Sequence, residues 1–278
     1  MRTKILSSGG VFFLLALASA FAQQAETAPA AAFPAASPSE MDCAGFISAQ
    51  PVSTDLYVFE GADNDFHNPG HAWSAGEFVF LRSRSGEGFA VGNEFSLVRS
   101  AKELMRVRWY DGQGASIRSL GKPYEDVGKV KVVQVTPFGA VAEVTFACGP
   151  VMVGDLALPY RARPIPTYTP TAQLDRFAPP NGKMVGAITA GVNNAAYFGE
   201  GMMAFINLGT SDGAAPGQKY RIFHIIREIT GGGFTVPPEP PREIIGELVI
   251  LSCQELSSLA MVVKSTRQIA LGDGIELE

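Results

Sequence analysis

The chain has 278 residues, of which 46% are hydrophobic and 18% are charged, and its formal net charge is −5. This composition is typical of a folded protein with well-buried strands, and it excludes an intrinsically disordered chain. The acidic balance, with no basic run to offset it, argues against nucleic acid or an anionic lipid surface as the main ligand. We therefore expect a folded protein with no nucleic-acid partner.

Residues 1–22 have the pattern of a cleavable secretory signal peptide. Arg2 and Lys4 precede a short apolar run, and residues 20–22 form an A-x-A cleavage site. The apolar run is shorter than the about 20 residues that span a bilayer, so an uncleaved anchor is the less favoured alternative. We predict a periplasmic or secreted protein with no membrane-spanning segment after cleavage. Residues 23–42, rich in Ala, Pro and Ser, are predicted to be a disordered tether.

The rest of the chain contains one pattern twice. Gly76–Val98 has the form strand, glycine-rich turn, strand, and it matches Gly201–Phe223 without a gap at an offset of 125. A closing unit of two strands then matches at an offset of 118, with Val127–Val135 aligned to Ile245–Cys253. Ungapped blocks in the same order, with their glycines in register, indicate an internal duplication.

The opening strand of the first repeat is predicted at Cys43–Ala49. This segment matches Met184–Ala190 at an offset of 141, which implies 16 extra residues in repeat one before its central hairpin. The extra stretch is predicted to add a strand at Leu56–Phe59 and a polar loop. Further along, residues 103–110 are compatible with either a strand or a helical turn.

These blocks predict an all-β fold class. Each repeat has about 100 residues of short strands and glycine turns, and a small closed barrel removes the exposed edges that an open sheet would leave. We predict two tandem small β-barrels from an internal duplication, at residues 43–158 and 182–278. A Pro-rich linker, residues 159–181, joins them as a semi-rigid spacer between distinct domains.

Repeat two also resembles a known family. The segments that carry the resemblance are Phe205–Gly209, Asp212–Tyr220, Ile244–Leu251 and Ile269–Asp273. They are similar to a bacterial envelope domain that follows peptidoglycan-binding LysM modules, and to the SH3-like C-terminal domain of the flagellar assembly protein T family. The resemblance implies SH3-like barrels and a non-catalytic scaffold in the periplasm or at the cell wall.

One loop carries candidate metal ligands. Asp63, Asp65, His67 and His71 offer two carboxylates and two imidazoles, which are ligands for zinc or another divalent metal. The i, i+4 spacing of the histidines favours a shared metal only on a helix, and the intervening Pro-Gly prevents a helix. We favour a polar insertion loop with no metal and no cofactor. A metal-binding or hydrolytic periplasmic protein that uses His67 and His71 is the alternative.

Serine-hydrolase chemistry has little support in the sequence. It needs a histidine oriented by an acid beside an activated serine, and no Gly-x-Ser-x-Gly elbow accompanies His224. Asp155 and Asp273 occupy equivalent Gly-Asp positions in the two repeats, which favours a turn-forming role for both. We therefore predict that the protein is not an enzyme.

The three cysteines predict one disulfide. Cys43 and Cys148 both occur at positions where repeat two has another residue, so we expect them to pair with each other. Cys253 aligns with Val135 on a core strand and is predicted to be a buried free thiol.

The predicted function is an exported, non-enzymatic envelope scaffold or binding module that docks other envelope proteins or peptidoglycan. Two surfaces are candidates for binding: a proline-flanked groove between the barrels, and an aromatic group in the insertion. The aromatic side chains are Tyr57, Phe59, Phe66 and Trp73.

Overall fold

The computed structural model describes residues 31–61, 72–86, 88–106, 108–226 and 241–278. The predicted signal peptide lies outside the described residues. The described part of the first half contains β1 Phe33–Pro34, α1 Pro38–Asp42, β2 Phe46–Ser48, β3 Leu56–Gly61, β4 Phe78–Ser83, β5 Glu94–Ser100, α2 Lys102–Arg106, α3 Gln113–Leu120, β6 Lys122–Thr136, β7 Gly139–Ala147 and β8 Leu156–Pro159.

The described part of the second half contains β9 Thr167–Tyr168, β10 Val185–Gly191, β11 Tyr197–Phe198, β12 Met203–Ile206, β13 Lys219–Ile225, β14 Arg242–Cys253, β15 Ser258–Ser265, β16 Ile269–Ala270 and β17 Gly274–Leu277. Two short 3₁₀ turns occupy Val192–Asn194 and Thr210–Asp212.

The strands close into two antiparallel barrels. Barrel 1 has the order β6-β5-β8-β3-β4-β7, and pairing of β7 with β6 completes the ring. Barrel 2 has the order β10-β12-β15-β14-β13-β17 and closes through β10 and β17. The predicted all-β fold with two tandem small barrels is confirmed.

The duplication extends to the hydrogen-bond register. Val79 pairs with Ala142 in barrel 1, and the residues at the corresponding positions, Ala204 and Ala260, pair in barrel 2. Strands β6 and β14 also carry bulges against their neighbours at equivalent positions. Because a one-residue slip would turn every side chain to the other face, matched register means matched inner and outer faces.

The predicted opening strand of repeat one is wrong. Gly61 on β3 pairs with Val79 as Gly191 on β10 pairs with Ala204, so β3 is the first barrel strand and its offset from β10 is 130. With the hairpin at an offset of 125, the insertion is five residues long rather than 16. The segment predicted at Cys43–Ala49 contributes β2, an added strand on β6 outside the ring. The sequence match rests on Gly45 and Ile47 against Gly186 and Ile188, which is too short to distinguish two candidate strands, whereas pairing around the barrel distinguishes them.

The end of the predicted tether is ordered. Pro38 begins α1, and Ser37 and Glu40 form a capping box, in which Ser37 N donates to Glu40 Oε2 at 2.7 Å. Met41 on this helix is buried, and Asp42 pairs with Lys129 of β6 at 2.7 Å. Residues 31–42 therefore differ from the disordered segment predicted for 23–42, because burial of Met41 and the ion pair offset the entropy of ordering.

Residues 103–110, which the sequence allows as either a strand or a helical turn, contain most of helix α2, and helix α3 follows them. On α3 the side chains of Gln113, Ile117 and Leu120 are buried, which is one helical face at spacings of four and three. In the part of the chain that the structure describes, no helix has both the length and the apolarity needed to cross a membrane.

A shared apolar cluster joins the two halves. The N-terminal segment, β2 and the three helices of the first half pack on the outside of barrel 2. The buried members of the cluster are Ala35, Ala36, Met41, Ala44, Ile47, Ala101, Leu104, Ile117, Leu120, Ala190, Phe205, Val249, Leu251, Leu259 and Met261. The linker takes part in this arrangement, since its strand β9 pairs with β1. The two halves are therefore connected in two ways: by the Pro-rich linker, and by helices and strands of the first half that pack on barrel 2.

The predicted disulfide between Cys43 and Cys148 is present. It links the α1–β2 junction to the end of β7 across 105 residues of sequence, a closure that stabilises the fold by about 2–5 kcal/mol in the loop-entropy account. Cys253 is free as predicted, but half-buried rather than fully buried. This partial burial raises the pKa of its thiol.

Trp73 provides a test of the barrel 1 core. The indole is 1% exposed and lies so close to Gly61 that a Cβ there would stand 2.1 Å from Trp73 Cε2. We predict that Trp73→Ala lowers the free energy of unfolding by about 3–5 kcal/mol, because it leaves a large cavity. Trp109, which is 51% exposed, is the matched control, and Trp109→Ala should change stability by about 0.5 kcal/mol or less. Urea titrations followed by circular dichroism measure both; equal losses would contradict this packing.

Candidate docking face

The outer side of barrel 2 is covered by other parts of the chain. Helix α3 packs against β10, and β2 packs against β15. Two hydrogen bonds fix the contact: Gln113 Nε2 donates to the Thr189 carbonyl at 3.2 Å, and Ser257 Oγ donates to the Ile47 carbonyl at 2.9 Å. We name the barrel 2 side of this contact the covered face; its residues are Ala190, Met203, Phe205, Val249, Leu251, Leu259 and Met261.

The same side of barrel 1 is open. By the offsets of the three blocks, Phe80 corresponds to Phe205, and both pair with an equivalent residue of the next strand. Phe80 is nevertheless 37% exposed, whereas Phe205 is 2% exposed. We name this surface the open face; its apolar residues are Phe59, Phe78, Phe80, Val133 and Val141.

The open face holds enough apolar surface to bind another molecule. Phe59, Phe78 and Val133 are 42%, 37% and 41% exposed. Burying such side chains in a contact contributes about 25 cal/mol per Å² of apolar area. Groups of exposed apolar side chains are uncommon on monomeric proteins, and where they occur they often mark interaction sites.

Arginines border the aromatic side chains at one end. The Arg82 guanidinium lies 4.2 Å from the centroid of the Phe59 ring, and the Arg84 guanidinium lies 5.2 Å from that of Tyr57. A groove of about 350 Å³ continues from there, with Phe138 on the β6–β7 turn at its edge. Stacked cations over aromatic rings give this end of the face both apolar and polar contacts for a ligand.

Charges distinguish the open face from the covered one. Lys131 and Glu143, a cross-strand pair of β6 and β7, stand where barrel 2 has Val249 and Met261. Glu60 likewise stands where barrel 2 has an alanine. Permanent interfaces are more apolar, whereas interfaces that form and separate carry more polar residues.

The four aromatic residues predicted to bind a ligand do not lie on one surface. Tyr57 and Phe59 lie on or beside the open face. Trp73 is buried in the core of barrel 1, so its prediction as a binding residue is wrong; its ring fills the space above Gly61 and pairs through β-bridge contacts with Val151. Phe66 lies outside the described residues.

The four predicted metal ligands, Asp63, Asp65, His67 and His71, lie outside the described residues. Within the ranges that the structure does describe, no group of three or more His, Cys, Asp or Glu side chains is arranged to hold a metal ion.

The paired aspartates have the same local role in both barrels. Asp155 accepts from Met152 N and Asp273 accepts from Ala270 N, each at 2.8 Å, so both carboxylates form their Gly-Asp turns as predicted. Each also holds a strand residue, Arg99 in barrel 1 and His224 in barrel 2, at 2.7 Å. The hydrogen bond to Asp155 raises the pKa of Arg99. In each barrel the pair joins a strand, β5 or β13, to the turn that precedes the last strand, β8 or β17.

The proline-flanked groove between the barrels is present. Pro159, Pro164 and Pro216 border a concavity of about 360 Å³. Arg163 lines it, but its guanidinium is bound to Asp126 at 2.7 and 2.9 Å and helps to hold α1 against barrel 1. Arg163 is therefore committed to the fold, whereas Arg161 lines the same groove and is exposed. The open face remains the stronger candidate because its exposed aromatic side chains have buried or partly buried counterparts in barrel 2.

Most of the open face was not predicted from the sequence. Phe78, Phe80, Val133 and Val141 are outward-pointing apolar residues, whereas apolar residues on the strands of a small barrel are expected to fill its interior. A signal was present in the first strand of the hairpin, whose outward positions Phe78 and Phe80 are apolar as Met203 and Phe205 are in repeat two. No protein-family model and no curated protein matches the chain. The second barrel is accordingly the informative comparison for the first.

The two equivalent phenylalanines test this difference. We predict that Phe205→Ala lowers the free energy of unfolding by about 3–5 kcal/mol, because it empties a buried site under α3. Phe80→Ala should cost about 1 kcal/mol or less, because the ring is already partly hydrated in the free protein. Urea unfolding of the purified mature protein compares the two variants directly. A large loss for Phe80→Ala would show that its face is covered in the isolated chain.

Proposed function

We propose that the protein is an exported, non-enzymatic docking module that holds a partner protein on the open face of barrel 1. The observation that carries the proposal is the contrast between equivalent surfaces. The covered face of barrel 2 is a contact within the chain, and the open face of barrel 1 repeats four of its seven apolar positions without an occupant from the described chain.

The use of buried charges supports a scaffold. Asp126 pairs with Arg163 at 2.7 Å, and Glu276 pairs with Arg242 at 2.9 Å, in both cases with the carboxylate almost fully buried. These carboxylates hold chain segments together: α1 to barrel 1, and β14 to β17. Such pairs serve the geometry of the fold, and their charges are already neutralised by hydrogen-bonded arginines.

Export is supported by two independent features. A disulfide such as Cys43–Cys148 persists in oxidising compartments. The amino-acid pattern of residues 1–22 is that of a secretory signal peptide. The resemblance to an envelope domain agrees with both and favours partners in the periplasm or at the wall.

Chemical cross-linking in the producing organism tests the proposal. A tagged full-length chain should give adducts with a second protein after formaldehyde treatment. Phe78→Ser with Phe80→Ser should abolish these adducts and lower the thermal unfolding midpoint by several degrees at most, because each ring is 37% exposed and its loss costs about 1 kcal/mol. Tyr197→Ser with Val185→Ser removes apolar groups from strands of the second half of the chain, where they are 58% and 54% exposed, and is the control.

Two results would contradict the proposal. Adducts that survive in the Phe78/Phe80 variant would place the partner on another surface. Pelleting with purified peptidoglycan that depends on Phe78 and Phe80, without any protein adduct, would instead identify the wall polymer as the ligand.

A further inference from the structure

We infer that the partner places an amphipathic helix across the open face of barrel 1, in the position that α3 takes on barrel 2. This inference rests on the proposed function and specifies the chemistry of the partner. It follows from the way in which the chain covers the equivalent surface of its own second barrel.

The occupant of barrel 2 defines the pattern of contacts. Among the buried residues of α3, Gln113, Ile117 and Leu120 form a stripe at i, i+4 and i+7, with Gly114 beside it. The polar end of the stripe binds the backbone of Thr189, at the bulge of β10. A helix thus meets this barrel surface with one apolar stripe and one hydrogen bond to a bulged strand.

Barrel 1 has the same receiving features. Its strand β3 is bulged at the corresponding place. Phe59 is the extra residue of that bulge, and its ring and that of Phe80 are exposed. The corresponding residues of barrel 2 are Thr189, whose carbonyl accepts from Gln113 of α3, and Phe205, which is buried in the cluster that contains Ile117 and Leu120. A helix of about 11 residues is about 16 Å long, which spans three to four neighbouring strands at about 4.8 Å each. The strands β3, β4 and β7 offer that width.

The charges on the open face select against a second copy of α3. The buried stripe of α3 carries no charged residue. On barrel 1 it would lie over Lys131 and Glu143, where barrel 2 has Val249 and Met261. Lys131 pairs with Glu94 at 3.7 Å, and an apolar stripe would remove these charges from water without adding a hydrogen bond to any of them, which is costly. The helix that fits therefore has apolar residues at three- and four-residue spacing, flanked by groups that pair with Lys131 and Glu143.

Site-specific photocross-linking tests the inference. A benzophenone amino acid is placed singly at Phe59, Phe80 or Val141 of the full-length protein in the producing organism, with Tyr197 as the control position. Mass spectrometry then maps the cross-linked residues of the partner. We expect the three positions to mark partner residues that differ by three, four or seven, and Tyr197 to mark none of them. Lys131→Glu should lower the yield at Phe80 several-fold, whereas Lys102→Glu, at an exposed position on α2, should leave it unchanged.

Each other outcome overturns the inference in a recognisable way. Partner residues that alternate by two would indicate an added strand, and the docking function would stand without the helix. Adducts with a peptide of this same chain would indicate a dimer. Carbohydrate adducts, or no adducts from any of the three positions, would contradict both the proposed docking of a protein on the open face and the inferred helix.

Discussion

The arrangement of the molecule depends on the apolar contact between repeat-one elements and the outside of barrel 2. Helix α3 and strand β2 do not belong to either ring of strands, yet their buried side chains complete the surface of the second barrel. Because apolar burial is the main favourable term in folding, this contact also fixes the position of one barrel against the other. The disulfide Cys43–Cys148 holds the α1–β2 junction, which is part of the cover, to the end of β7 in barrel 1.

Duplication explains why barrel 1 has an apolar outer face. The same alternation places side chains inside and outside each ring, and matched register gives the two barrels matched outer positions. In barrel 2 those positions are filled by the rest of the chain. In barrel 1 they include Phe78 and Phe80, together with Lys131 and Glu143, which suit a contact that forms with another molecule and separates again.

Comparison of the repeats predicted much of this structure from sequence. It located both barrels and paired Cys43 with Cys148, because residues unique to one copy stand out against the other. It failed where the match was short: Cys43–Ala49 was taken for the strand that Leu56–Gly61 provides, since only pairing across the ring distinguishes them. The burial of individual side chains could not be predicted from the sequence, as Trp73 and Trp109 show. Both are tryptophans near polar stretches, yet one is in a core and the other on the surface.

Hydroxyl-radical footprinting of the isolated mature protein tests the central difference most directly. The reaction rate of a phenylalanine ring follows its exposure to solvent, so Phe80 and Phe205 report on equivalent positions of the two barrels in one experiment. With 37% exposure against 2%, Phe80 should be oxidised many times faster than Phe205. Equal protection of the two rings would contradict an open face on barrel 1.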